Sequence, residues 1–415
     1  MTTVVVHSAS ELVVGPAEDE GQSALETYED GAVAIEDGTV VQAGETEAVC
    51  REHPTENADR AIDASGETVI PGFVDPHTHA LFAGDRSDEF VARIEGKTYT
   101  EIMAAGGGIA ATVEAVRDAS DETLLANLER QLDTMLAHGT TTAEVKTGYG
   151  LDTETELRML DVIRQADQSH PVDLVPTFLG AHAVPAEMDA DEYTEQVIDD
   201  QLPAVAEQGI AEFCDVFCEA DVIDVEQSRR ILTAGREHGL ESKLHAEEFS
   251  RIGGAKLAAE LGAVSADHLL AATAEDAQSL LEAGVVPTFL PATALALGEE
   301  YADPSAFLDG PVALGTDLNP ACFVHSMGMV TSLACMGMGL RPGRAIRGAT
   351  SDAALAVDRT DGTGTLAAGT TADLAVVDLP SATHIPYNAG TNRVETVLKD
   401  GDVLVENSAL EAETS

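Results

Sequence analysis

Val69-Ile70-Pro71-Gly72-Phe73-Val74-Asp75-Pro76-His77-Thr78-His79-Ala80 is an apolar run bounded by turn residues. Such a run reads as a buried strand. It delivers His77 and His79 at its C-terminal end, two positions apart and therefore on one face. Two imidazoles converging from one strand can hold one metal ion. A lone His-x-His pair is more often a surface or hydrogen-bonded coincidence, so the remaining chain must supply the other ligands.

Outward from this run, the texture changes twice. Thr3-Val4-Val5-Val6-His7, Glu11-Leu12-Val13-Val14, residues 32–41 and Glu67-Thr68-Val69-Ile70 are short β-type runs, with Asp37-Gly38 as a hairpin turn between two of them. Residues 372–378 and 394–405 show the same texture near the other terminus. Between them, apolar runs alternate with amphipathic segments rich in Ala, Glu and Leu, the pattern of βαβ units and a parallel sheet. Eight candidate strands end near His79, Lys146, His182, Cys218, His245, His268, Leu290 and Asp317. After one longer first gap, successive ends lie about 22 to 36 residues apart, room for a strand, a helix and two loops.

Eight such units predict an α/β fold, a (β/α)8 TIM-like barrel over residues 67–361. Residues 1–66 and 362–415 then pair into a small β-sandwich domain built from both chain termini. A doubly wound open sheet is the competing architecture, but no G-x-G-x-x-G follows the first strand. The Gly106-Gly107-Gly108 run falls in the long segment after strand one, where a ligand-closing loop would be placed.

At 415 residues and 44% hydrophobic content the chain can fill a barrel core, leaning on Ala, Val, Ile and Leu because aromatics make up only 4% and Trp is absent. Lys and Arg total 22 against 74 acids, a formal charge of -52. That balance argues against nucleic acid or an anionic membrane as partner, since phosphate contacts need basic surface. The acid is spread along the chain and the hydrophobic periodicity survives it, so disorder does not explain it. With only five lysines, such a surface suggests a halophilic, acidic-proteome protein that works in high salt, where screening shrinks self-repulsion. Five scattered cysteines, no signal-peptide pattern and no apolar stretch of membrane length predict a reduced, cytoplasmic protein.

In a barrel, chemistry gathers at the C-terminal strand ends. Strand five reads Lys243-Leu244-His245-Ala246-Glu247-Glu248, strand six Ser265-Ala266-Asp267-His268 and strand eight Gly315-Thr316-Asp317-Leu318-Asn319-Pro320. His77, His79, His245 and Asp317 are therefore the candidate metal ligands, a set that suits one Zn or Fe ion with a position left for water. Singly, His245 could be a core histidine, Asp317 a helix cap and Glu248 a solvated first-turn acid; four such coincidences at strand ends are far less probable. Glu248, His268 and Asp317 are the catalytic candidates: a carboxylate three residues past a ligand can carry a proton from water to a leaving nitrogen, a neighbouring His can orient the developing oxygen, and Asp317 can accept a proton from the same water.

The Pro71-Gly72-Phe73-Val74-Asp75-Pro76-His77-Thr78-His79 phrase resembles the first barrel strand of the amidohydrolase superfamily. Further phrases narrow it: Phe82-Ala83-Gly84-Asp85-Arg86-Ser87, Thr98-Tyr99-Thr100-Glu101-Ile102-Met103 running into the triple Gly, residues 144–151, Phe178-Leu179-Gly180-Ala181-His182, and residues 212–218. Over about residues 67–340, and more loosely beyond, the chain resembles the imidazolonepropionase family of that superfamily. The resemblance implies hydrolysis of the cyclic amide C–N bond of 4-imidazolone-5-propanoate to N-formimino-L-glutamate by metal-activated water, in histidine degradation, with a homodimer expected. It also implies substrate contacts from Arg86 to the carboxylate, from Tyr149 and His182 to the ring or the propionate, and from Glu248, Asn319, Ala321 and Cys322. An ion pair of Arg86 with Asp85, Asp88 or Glu89 is the competing reading of that arginine.

The chain departs from the family in reading Asn319-Pro320-Ala321-Cys322 where Asn-Pro-Gly and then Ser or Thr are expected, which replaces a hydroxyl by a poorer hydrogen-bonding thiol. Lys146 also ends a strand, and hydantoinase-type relatives bridge two metals with a carboxylated lysine. That lysine belongs to strand four, whereas Lys146 ends strand two, so a single metal and a structural ion pair for Lys146 are expected. The nearest rival is a mononuclear cytosine- or guanine-deaminase-like amidohydrolase, whose nucleobase carries no carboxylate for Arg86; a barrel that has lost its metal is another.

Overall fold

The computed structural model describes residues 2–17, 25–97, 101 and 106–410. Two sheets organise it. The first is mixed and draws on both ends of the chain: β1 (Thr3–Pro16), β2 (Leu25–Glu36), β3 (Thr39–Glu45), β4 (Arg60–Asp63) and β5 (Thr68–Pro71) come from the N-terminal end. The second is the parallel set β6 (Phe73–Asp75), β7 (Thr140–Lys146), β8 (Asp173–Ala181), β9 (Phe213–Cys218), β10 (Glu241–Ala246), β11 (Ser265–His268), β12 (Val286–Phe289) and β13 (Ala313–Leu314). β14 (Leu374–Val377), β15 (Val394–Lys399), β16 (Asp402–Glu406) and β17 (Ala409–Leu410) return to the first sheet, where β14 pairs antiparallel with β5.

The parallel set runs in sequence order and closes on itself. Asp317 N–H donates to the His77 carbonyl at 3.0 Å and His79 N–H to the Leu318 carbonyl at 2.9 Å, with a parallel bridge between Thr78 and Leu318. This is the (β/α)8 barrel, and the open doubly wound sheet is ruled out. Its outer helices form for ordinary reasons. The helix Asp121–Ala137 starts at Ser120, whose side chain caps Thr123 N, and buries Leu124, Leu128, Leu132 and Met135 at three- and four-residue spacing. The helix Val225–Glu237 opens with a capping box between Asp224 and Gln227 and buries Ile231 and Leu232.

The run expected to form one continuous strand is two. Thr68–Pro71 belongs to the mixed sheet, and the chain crosses into the barrel at Gly72, where a Cβ would collide with the Thr141 side chain. β6 stops at Asp75, so His77 and His79 sit on the extended segment beyond it, held by the bridge to Leu318. At the N-terminus, the two expected runs fuse into the single strand β1, kinked where the register shifts between Val6 and Ala9 and Ser8 takes φ 61°. Asp37 and Gly38, both at positive φ, make the expected hairpin turn. The small unit from both termini is one hydrogen-bonded sheet of nine strands. Among the described residues no helix is long and apolar enough to cross a membrane. Of the phrase Thr98 to Met103, only Glu101 lies among the described residues.

Candidate metal centre

The strand tips bring His77, His79, His245 and Asp317 together. One ring nitrogen from each of the three histidines lies within 4.8 Å of the other two. Asp317 Oδ1 is 3.7 Å from His77 Nε2 and 3.4 Å from His79 Nε2. Around a tetrahedral ion with bonds of 2.0–2.1 Å, neighbouring donors are about 3.3 Å apart; the two Asp317 contacts are close to that, and Asp317 also groups within 4.8 Å with His77 and His268, whereas no such group among the described residues holds all four side chains. His268 belongs to the same cluster, its ring centroid 5.3 Å from that of His77 and 5.1 Å from that of His245.

The donor set also has the chemistry of an ion site. His77 Nε2, His79 Nδ1, both ring nitrogens of His245 and of His268, and Asp317 Oδ1 are buried without a hydrogen-bond partner, His245 Nδ1 having Asp215 Oδ2 beside it at 3.0 Å as an ion-pair contact. Buried polar atoms are costly to leave unpaired, and here they are clustered at the strand tips. Burial, with the neighbouring imidazoles and Lys146, holds His77 and His79 well below the usual histidine range, so they are neutral and carry lone pairs. Burial raises the Asp317 carboxyl despite the Thr293 hydroxyl donating to it at 2.5 Å. A cation would relieve that penalty. Lys146 also fits its expected role: its ammonium lies 2.8 Å from Glu144 and from Asp215, which raise its pKa against the opposing effect of burial, and a charged amine cannot take up carbon dioxide to bridge two metals.

Glu248 stands beside the cluster with Oε2 3.5 Å from His268 Nε2. Burial first, then Asp317 and Glu219, push its carboxyl well above the ordinary range. Its loop is fixed from both sides: Glu219 accepts N–H bonds from Phe249 and Ser250, and Glu247, at φ 53°, accepts from Ile252, Gly253 and Ala255. His182 stacks on His79 with centroids 4.7 Å apart and planes 12° apart. Its Nδ1 reaches the Gly148 carbonyl at 3.1 Å, and burial with His245 lowers its pKa to about 3. Tyr149 packs at 5.3 Å from His182 and 5.8 Å from His79. Glu156 sets that loop by accepting from Gly148, Gly150 and Leu151. Gly148 takes φ 102°, and a Cβ there would come within 2.9 Å of the His182 ring.

Arg86 spends Nε and Nη2 on a bidentate pair with Glu89, at 3.0 and 2.7 Å, so the competing ion-pair reading describes this part of its environment. Glu89 Oε1 also accepts from Gly108 N, at the end of the triple Gly. Arg86 and Ala321 line a cavity of about 690 Å³ that includes Phe82, Arg93 and Phe323 and none of the cluster's own side chains. Burial first, then Asp317, raise the Tyr149 hydroxyl above its ordinary range, with Arg86 opposing them. Asn319 folds its own turn: it donates to the Asp317 carbonyl and accepts from Ala321 and Cys322 N–H. The Ala321 N–H is thus engaged within the turn, and the buried Cys322 thiol points at the Thr316 carbonyl, 3.7 Å away.

Sequence reasoning passed over the carboxylates behind the ligands. Asp267 Oδ2 is 2.7 Å from His77 Nδ1, and Asp215 Oδ2 is 3.0 Å from His245 Nδ1. The signal was present: a single acid inside a buried apolar strand, as in Phe213-Cys214-Asp215-Val216-Phe217, has no cheap place to go unless something pairs with it.

A profile of the amidohydrolase family matches residues 221–404. The fold is shared with an adenosine deaminase from Xanthomonas campestris with bound zinc, at TM-score 0.76 and 18% identity over 100% of this chain and 95% of the other. It is shared also with Escherichia coli guanine deaminase, at TM-score 0.71 and 17% identity over 98% and 100%. Barrel and site thus define a metal-dependent hydrolase of the amidohydrolase class. Within that class, the imidazolonepropionase of Halobacterium salinarum is 66% identical over 97% of each chain, that of Haloarcula marismortui 62% over 97% of each, and that of Geobacillus kaustophilus 45% over 98% of each. The chain belongs to the imidazolonepropionase family.

Proposed function

We propose that the protein hydrolyses 4-imidazolone-5-propanoate to N-formimino-L-glutamate, using one metal ion held by His77, His79, His245 and Asp317. A zinc or iron ion there supplies Lewis acidity that activates water and polarises the ring carbonyl. The water oxygen bonds to that carbon and the ring C–N bond breaks. Glu248 takes the proton that water gives up and delivers it to the departing nitrogen, a shuttle suited to a carboxyl whose pKa is displaced upward by burial, Asp317 and Glu219. His268, next to Glu248, donates to the tetrahedral oxygen, and Asp317 is a second acceptor for the proton of the water.

Arg86, with one edge fixed on Glu89, offers its remaining N–H groups to the propionate. Tyr149 and the neutral His182 flank the ring, and Asn319, Ala321 and Cys322 shape the product-like end. The protein works as a cytoplasmic homodimer. What supports the reading is the clustering of partnerless imidazole and carboxylate atoms at the strand tips of a chain 66% identical to a curated imidazolonepropionase. Imidazolonepropionate and a panel of nucleobases, each incubated with the protein in high salt, test it: only the first should be consumed, and turnover of cytosine or guanine instead would replace this reading with a deaminase.

A further inference from the structure

One layer below the cluster, five charged side chains lie wholly inside the barrel: Glu144, Lys146, Asp215, Lys243 and Asp267. Lys146 is at their centre. Its Nζ is 2.8 Å from Glu144 Oε2, 2.8 Å from Asp215 Oδ2 and 3.8 Å from Asp267 Oδ2. Those same Asp215 and Asp267 oxygens are the ones that face His245 Nδ1 and His77 Nδ1. The Lys146 backbone N–H meanwhile donates to the carbonyl of Thr78, the residue between His77 and His79. Lys243 bonds Glu144 and the carbonyls of Pro76 and Ala356.

We infer that Lys146 is a positioning residue that holds two metal ligands at once: its ammonium pins Asp215 and Asp267, each carboxylate keeps a proton on the Nδ1 of its histidine, and both Nε2 lone pairs are left facing the ion. The inference rests on the ligand set proposed above. Beyond Lys146, Asp215 is held at Oδ1 by Val216 N, and Asp267 at Oδ1 by the Ser265 hydroxyl and more distantly at Oδ2 by Lys243, whose Nζ is 4.0 Å away. Neither hydrogen bond fixes the oxygen that faces the histidine, and of the two lysines Lys146 is the one that reaches that oxygen in both carboxylates. Outer carboxylates of this kind set ligand tautomer and orientation, and losing them costs about 10- to 100-fold in metal affinity. A lysine shared by two of them makes both ligands depend on one charge.

The test is a titration of Zn²⁺ alone, against a competing chromophoric chelator in high salt, into chelator-stripped protein. Wild type must bind one equivalent; if it binds none, the ligand set itself is wrong. Lys146→Met alone leaves Asp215 buried without its cation and Glu144 with Lys243 alone, so it is paired with Glu144→Gln, which keeps the interior net charge, and Glu144→Gln alone is the reference. The double variant should bind Zn²⁺ at least ~10-fold more weakly than that reference. Equal affinity would overturn the inference. Lys399→Met is the structural control: Lys399 is buried among Asp173, Asp373 and Asp400 and touches no ligand, so its loss should lower thermal stability and leave zinc affinity unchanged. A drop in zinc affinity there as large as in the double variant would reduce Lys146 to a generic stabiliser. Should the double variant not fold, nitrogen-15 spectra of histidine-labelled, metal-free wild type decide: both His77 and His245 should carry the proton on Nδ1, and an Nε2–H form of either ring would contradict the inference.

Discussion

At the strand tips, buried nitrogens and an oxygen of His77, His79, His245, His268 and Asp317 have no partner; one layer down, Glu144, Lys146, Asp215, Lys243 and Asp267 each have at least one charged neighbour within 4.0 Å. Both layers are equally dry. In low dielectric an unpaired polar atom costs more than its paired counterpart gains, which supports reading the upper layer as the proposed ion site and the lower one as its paired support. The small sheet adds a third case, since Lys399 there satisfies Asp173, Asp373 and Asp400 with no open atom beside it.

The sharpest way to break this contrast is His245→Ala. It removes a donor from the open layer and should abolish both metal binding and turnover; a variant that retains a full equivalent of metal by elemental analysis would remove His245 from the ligand set. Glu248→Gln should keep the metal and lower kcat by roughly two orders of magnitude or more. Its pH dependence has a definite sign. Because burial, Asp317 and Glu219 raise the Glu248 carboxyl, the group stays protonated well past the usual carboxylate range. As acceptor of the water proton it works only when ionised, so wild-type activity should rise with pH through that raised pKa, and the rise should vanish in the Gln variant. An acidic limb that survives the substitution would assign it to another group.

Arg86→Ala should raise KM roughly 30-fold, about 2 kcal/mol for one charge-assisted pair, with kcat little changed; an unchanged KM would move the propionate site elsewhere. Lys399→Met is expected to leave kcat and KM alone and to lower the melting temperature by several degrees, because it strands the largely buried Asp373 carboxylate of the mixed sheet and touches nothing in the site. Altered KM would show that the mixed sheet is coupled to the strand tips.

Much of this was legible without coordinates. The alternation of apolar runs and amphipathic segments yields eight parallel strands. His77, His79, His245 and Asp317 were readable because strand ends are where barrel chemistry collects. Three features were not. The strand break at Gly72 depends on Thr141 of a distant strand. The Glu89 clamp on Arg86 is one of three acids at plausible spacing, and only packing selects it. The pairing of Lys146 with Asp215 and Asp267 crosses roughly a third of the chain, and sequence order carries no distance between side chains from separate strands.

The central claim is that His77, His79, His245 and Asp317 surround a single ion. Anomalous scattering at the metal edge, from a crystal of the protein as purified, tests it most directly. One peak should appear within bonding distance of all four side chains, beside the His268 ring. No peak, or a peak among His77, Glu144 and Asp267 in the layer below, would contradict the account.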